Sequence, residues 1–140
     1  MTVHATDLAA LVGVPYVVGG RTLEGLDCLG LVIAAMRVLR PGVGVPDLWE
    51  AAQEAVRGGW RGEDVTPDGW ADLAADAPWR AADVLWLHDA TGPNHLGIVI
   101  PGGRFLHTAE RVGSCVLPMR RVVRRVVRGL RPPVTAEVTQ

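Results

Sequence analysis

The chain has 140 residues, 49% of them apolar in type and 21% charged, with a formal net charge of −1 and a slightly positive mean hydropathy. That length corresponds to one domain at roughly 150 residues per domain, and the composition excludes a disordered chain, a fibre and a disulfide-stapled miniprotein. The near-zero charge gives no global field toward nucleic acid or anionic membrane. The long uncharged stretch Leu8 to Gly20 contains Pro15 and three glycines and falls short of the ~20 apolar residues a membrane span needs.

In chain order, Thr6 or Asp7 can cap a short helix through Leu11, ended by Gly13. Gly13 to Gly20 reads as a turn, a short extended piece and a second turn. Asp27 stands at an N-cap position, and Leu29 to Leu39 is apolar all round, which marks a buried central helix stopped by Arg40-Pro41-Gly42. Asp47 can cap an amphipathic helix, Leu48 to Val56, closed by Gly58-Gly59. Trp60 to Arg80 carries Gly, Pro, Asp and three tryptophans and reads as a loop with one short helix near Trp70 to Ala75.

From there the pattern changes to strands: Asp83 to His88, His95 to Ile100, Arg104 to Thr108, Ser114 to Leu117 and Arg124 to Leu130, with Pro101-Gly102-Gly103 as a turn. The tail after Pro132-Pro133 is expected to fray. Helices followed by strands predict an α+β fold, N-terminal helices packed on a C-terminal antiparallel sheet, in a single domain over residues 1–132 with 133–140 as a tail. Every basic residue is Arg, and eight of the 14 lie between Arg104 and Arg131; the stretch Arg120 to Arg131 reads as a solvated strand face, with binding of an anionic polymer or docking on a partner protein as the alternatives. Met1 to Ala10 lacks the basic and apolar regions of a cleaved leader, so synthesis in the cytoplasm without a signal peptide is expected.

Three side chains could carry chemistry. Cys28 begins the central helix, where the dipole and backbone N–H groups favour a thiolate; a small buried hydrophobe would occupy the same position. His95 opens an apolar strand beside Asn94 and costs desolvation unless partnered. His107 stands on the next strand, so the two imidazoles can meet across a hairpin, one orienting the other. Cys115 has no motif behind it and reads as a buried or edge thiol. Two cysteines are too few for a disulfide framework, and no Cys/His spacing suggests zinc.

Val14-Pro15-Tyr16-Val17-Val18-Gly19-Gly20 and Gly25-Leu26-Asp27-Cys28-Leu29-Gly30-Leu31-Val32 resemble the nucleophile block of NlpC-type cysteine peptidases, papain-like enzymes that cut bacterial cell-wall peptides. Ala82-Asp83-Val84-Leu85, Asn94-His95-Leu96-Gly97-Ile98-Val99-Ile100 and Gly103-Arg104-Phe105-Leu106-His107-Thr108 resemble that family's later strands, in the same order. The resemblance spans roughly Leu8 to Pro132. It implies a papain-like fold in which Cys28 is the nucleophile, His95 the general base and His107 the residue that orients His95. It places Tyr16 near the oxyanion site and Asp27 at the substrate site, and Arg21, Leu29 and Asn94 are read as substrate-facing with them. Leu29 replaces the family's Ser after the nucleophile, which bears on specificity.

The implied reaction is hydrolysis of an amide in the peptidoglycan stem peptide, between γ-D-Glu and a diamino acid, with no metal or cofactor. Asp-Cys-Leu-Gly, Asn-His-Leu-Gly and Gly19-Gly20-Arg21 resemble the subset encoded in phage tail operons and gene transfer agents, with tail tip or baseplate proteins as partners and action at the cell wall. Two other readings use the same scaffold: an acyltransferase or lipid-directed hydrolase, favoured by a more apolar site at Leu29, and a non-catalytic tail-assembly module.

Overall fold

The computed structural model describes residues 8–45, 66–89 and 92–133, with the backbone alone at residues 88, 89 and 92–94. A 3-10 turn, Leu8–Leu11, leads through the Tyr16 segment to a two-stranded hairpin, β1 (Arg21–Thr22) and β2 (Gly25–Leu26). The helix α1 (Cys28–Leu39) follows at once. Six strands then form one antiparallel sheet: β3 (Ala71–Leu73), β4 (Val84–Asp89), β5 (Gly92–Ile100), β6 (Arg104–Ala109), β7 (Gly113–Pro118) and β8 (Val126–Arg131). Their spatial order is β3-β8-β4-β5-β6-β7, so β8 returns to lie between β3 and β4.

The Val84-Leu85-Trp86-Leu87 run does not alternate with polar residues because both sheet faces are covered, and all four side chains are fully buried. On one face Val84, Trp86, Leu96, Ile98, Leu106 and Leu130 pack with Leu29, Leu31, Val32, Ala35 and Met36 of α1. On the other, Leu85, Leu87, Val99 and Phe105 pack with Val122 and Val126, flanked by Trp79, Leu117 and Met119. The expected central helix is thus buried as its all-round apolar composition requires.

Three expectations are corrected. The segment near Trp70 to Ala75 is not a helix: Ala71, Asp72 and Leu73 pair with Arg131, Leu130 and Gly129, and Asp72 accepts a 2.8 Å hydrogen bond from Arg128 Nε. Pairing with a strand more than fifty residues away outweighs local helix preference there. The first helix is only a 3-10 turn, so α1 is the one α-helix among the described residues. Arg124 belongs to a 3-10 turn, Val123–Arg125, and the last strand begins at Val126. The expected helix Leu48 to Val56 and the tail beyond residue 133 lie outside the described residues. No helix among the described residues is long and apolar enough to cross a membrane.

Candidate active site

Asp27 fixes the start of α1. It is buried, and its Oδ1 accepts from the Gly30 backbone N–H at 2.7 Å, an N-cap bond that satisfies one orphan donor of the first turn. Oδ1 also accepts from Arg21 Nη1 at 2.6 Å, and Oδ2 from the Gly19 backbone N–H at 3.0 Å. Both oxygens of Asp27 are therefore engaged within the chain, and Arg21 is tied to it rather than extended toward solvent. Gly30 permits the arrangement: a Cβ there would stand 2.2 Å from the Gly20 carbonyl oxygen. The cap, the hairpin and the Gly19-Gly20 turn form one brace around the residue that follows Asp27.

That residue is Cys28. Its thiol is buried against the backbone N–H groups of Leu96, Leu29 and Cys28 itself, each of which favours the thiolate. The Leu96 N–H belongs to the peptide that joins it to His95, so the sulfur lies against His95's own peptide bond. Burial and the charge of Asp27 nevertheless outweigh the three donors and push the Cys28 thiol up to about 11. This corrects the expectation of an easily ionised thiol: the helix terminus acts in the expected direction, but removal from water and a neighbouring carboxylate act more strongly.

His95 and His107 meet. Nε2 of His95 lies 3.0 Å from Nδ1 of His107, with the rings edge to face at 88° and centroids 5.2 Å apart. His107 stacks on Phe105 at 5.7 Å, and Nε2 of His107 lies 3.4 Å from Cys115 Sγ across the β6–β7 pair. Burial, and secondarily Arg125, lower the pKa of His107 and keep it neutral. Gly97 lets the Phe105 ring close over β5, since a Cβ at that position would come within 2.2 Å of the ring.

Tyr16 is half-buried in a bridge to Leu26. Its pKa is raised by burial and then by the charges of Cys28, Asp27 and Glu110, so its hydroxyl stays neutral and able to donate. Ser114 anchors the same segment: its hydroxyl donates to the Leu11 carbonyl and accepts from the Val14 backbone N–H at 2.8 Å.

Leu29 is fully buried in the core under α1 and does not make the site more apolar, which removes the feature that favoured lipid-directed chemistry. Asn94 lies on β5, and its side chain is outside the described residues. The Cys115, Phe105 and Ser114 contacts were not anticipated. The first could have been found from hairpin register, since His107 and Cys115 are equidistant from Arg111 in the turn. Among the described residues no group of three or more His, Cys, Asp or Glu side chains could hold a metal ion.

A buried thiol whose sulfur meets the His95–Leu96 peptide, a pair of imidazoles in contact, and a neutral phenol are groups that a nucleophilic acyl-transfer site uses. Residues 13–128 match the NlpC/P60 family. The chain belongs to that family. The probable peptidoglycan endopeptidase LytE of Bacillus subtilis (strain 168) is 30% identical over 106 residues, 75% of this chain; the chain spans 26% of that relative's length. The NlpC/p60 domain of the peptidoglycan hydrolase SagA superposes with a TM-score of 0.56 at 21% identity, covering 92% of this chain and 95% of that one. A Staphylococcus aureus NLP/P60-family protein, described as similar to lipoprotein, gives 0.58 at 21% identity, covering 96% of this chain and 41% of its own. The two superpositions show a shared NlpC/P60 fold, here, among the described residues, one α-helix on a six-stranded antiparallel sheet.

Proposed function

We propose that this NlpC/P60 domain is a cysteine endopeptidase that hydrolyses an amide bond in the peptide stem of peptidoglycan. The observation that carries the reading is the contact between the Cys28 thiol and the peptide joining His95 to Leu96, with His95 itself held by His107. Because Nε2 of His95 faces His107, Nδ1 is the nitrogen that takes the Cys28 proton. The sulfur attacks the carbonyl carbon, forming a C–S bond and a tetrahedral oxyanion that accepts from the Cys28 N–H and the Tyr16 hydroxyl. Collapse breaks the C–N bond, and the His95 imidazolium returns its proton to the departing amine. Water, losing a proton to His95, then attacks the thioester; the C–S bond breaks and the thiol is restored.

A thiol near 11 is almost entirely protonated at neutral pH. The reaction therefore needs His95 to take that proton, so the orientation of His95 matters throughout.

The bond we assign is that between γ-D-Glu and the diamino acid, on the strength of the Asp27-Cys28 and His95 motif blocks. Asp-Cys-Leu-Gly and Asn-His-Leu-Gly support a place in a phage tail or tail-like particle acting at the cell wall, in contact with tail tip or baseplate proteins. The test is digestion of purified sacculi by the wild-type protein and by Cys28→Ala, with fragments identified by mass. New amino groups on the diamino acid and new carboxyls on γ-D-Glu, absent with the variant, are expected. Intact sacculi with both proteins, or equal cleavage by both, would overturn the reading.

A further inference from the structure

Cys115 takes no part in the reaction above, yet it occupies the far nitrogen of His107. We propose that Cys115 is a positioning residue: its sulfur accepts the His107 Nε2–H and so fixes the tautomers of both imidazoles. This rests on the catalytic reading of His95.

The hydrogen-bond logic runs along one chain of atoms. If His107 carries its proton on Nε2 and gives it to Cys115 Sγ, its Nδ1 has a lone pair facing His95. His95 must then hold its proton on Nε2, and its Nδ1 is a lone pair that can accept from Cys28. Reverse every bond and His95 carries its proton on Nδ1, where it can take none from a thiol. A neutral His107 has one donor and one acceptor nitrogen, so whichever role the sulfur takes at Nε2 sets the opposite role at Nδ1; a thiol can take either, and we assign it the acceptor's. The setting favours this role. Cys115 lies directly across from His107 in the β6–β7 register, and Phe105 stacks on the His107 ring and restricts its rotation. Burial raises the Cys115 thiol and keeps it an uncharged partner.

The experiment compares Cys115→Ala and Cys115→Ser with the wild type in stem-peptide hydrolysis and in nitrogen-15 spectra of the imidazoles. Serine retains an acceptor at the same position; alanine does not. Cys115→Ala should lower kcat about three- to tenfold, the worth of one ordinary hydrogen bond, with KM unchanged. Cys115→Ser should recover most of that loss. The spectra should show protonated Nε2 at His107 in the wild type and the serine variant, and a mixture of tautomers in the alanine variant. Wild-type kcat in Cys115→Ala, equal losses in both variants, or an unchanged His107 tautomer would overturn the proposal. The spectra need no turnover: if the wild type cuts no stem peptide, the peptidase reading fails, while the His107 tautomer still decides whether Cys115 sets it.

Discussion

Nε2 of His95 and Nδ1 of His107 stand 3.0 Å apart, on strands joined by the short Pro101-Gly102-Gly103 turn, and under the proposed mechanism this bond sets which nitrogen of His95 takes the thiol proton. Replacing His107 by Leu should lower kcat on the order of 10²–10⁴-fold, as loss of an orienting partner does in a nucleophilic triad. His107→Asn, which retains an acceptor, should lose less, and KM should hold in both. Steady-state kinetics on a stem-peptide substrate check this. The pH dependence has a definite sign. Burial and Arg125 hold His107 below the ordinary 6.5, so the unfolded chain binds the extra proton first as pH falls. Stability contributed by neutral His107 is complete above pH 6.5 and is lost as pH falls through the lower, folded value. Denaturant titrations from pH 7.5 downward should show a shallower loss in His107→Asn than in the wild type.

Asp27 both caps α1 and opposes ionisation of its neighbour, since its charge is the second cause of the raised Cys28 thiol. Asp27→Asn keeps a cap acceptor for the Gly30 N–H but removes that charge and the Arg21 ion pair. The Cys28 thiol should drop toward its ordinary range, and iodoacetamide at pH 8 should label Cys28 several-fold faster. Peptide mapping separates Cys28 from Cys115, whose rate should not change. An unchanged Cys28 rate would mean that burial alone sets its ionisation.

The buried thiol also predicts alkaline behaviour. Cys28 is raised from 9.0 to about 11 in the folded protein. The unfolded chain therefore releases that proton first, and the associated stability is complete below pH 9 and lost as pH rises toward 11. Urea unfolding of the wild type should weaken over that window more steeply than unfolding of Cys28→Ala, which lacks the group.

The parts of the site that were legible in the sequence are local ones. Asp27 before an apolar run signals the cap, and two histidines twelve residues apart around a Pro-Gly-Gly turn signal a hairpin pair. The parts that were not legible depend on long-range packing. β3 forms because Ala71–Leu73 meets Gly129–Arg131, which no local period encodes. Leu29 follows Cys28 in sequence, yet the helix turns it into the core while the Cys28 sulfur meets the backbone of β5. The thiol's ionisation was misjudged because burial, a tertiary property, opposes the helix terminus.

β4, the strand that pairs with β5 beneath His95, begins at a buried charge. Asp83 is fully buried, and its Oδ1 and Oδ2 accept from Arg131 Nε and Nη2, each at 2.9 Å, while Oδ2 also caps the Arg80 N–H. Arg131→Met leaves a buried carboxylate short of its cation and should cost about 3–5 kcal/mol in chemical denaturation. Adding Asp83→Asn to that variant should recover part of the loss. If the single variant is as stable as the wild type, the pair does not anchor the strand.

The most direct test of the nucleophile is to trap the acyl-enzyme. A stem peptide mixed with the protein and quenched in acid within one turnover should leave its γ-D-Glu acyl group on sulfur. Trypsin, cutting after arginine, separates the two thiols into fragments 22–37 and 112–120. The acyl mass should appear on fragment 22–37, at Cys28, and disappear in Cys28→Ala. Acylation of fragment 112–120, or turnover of the peptide in Cys28→Ala, would contradict the assignment of Cys28 as the attacking group.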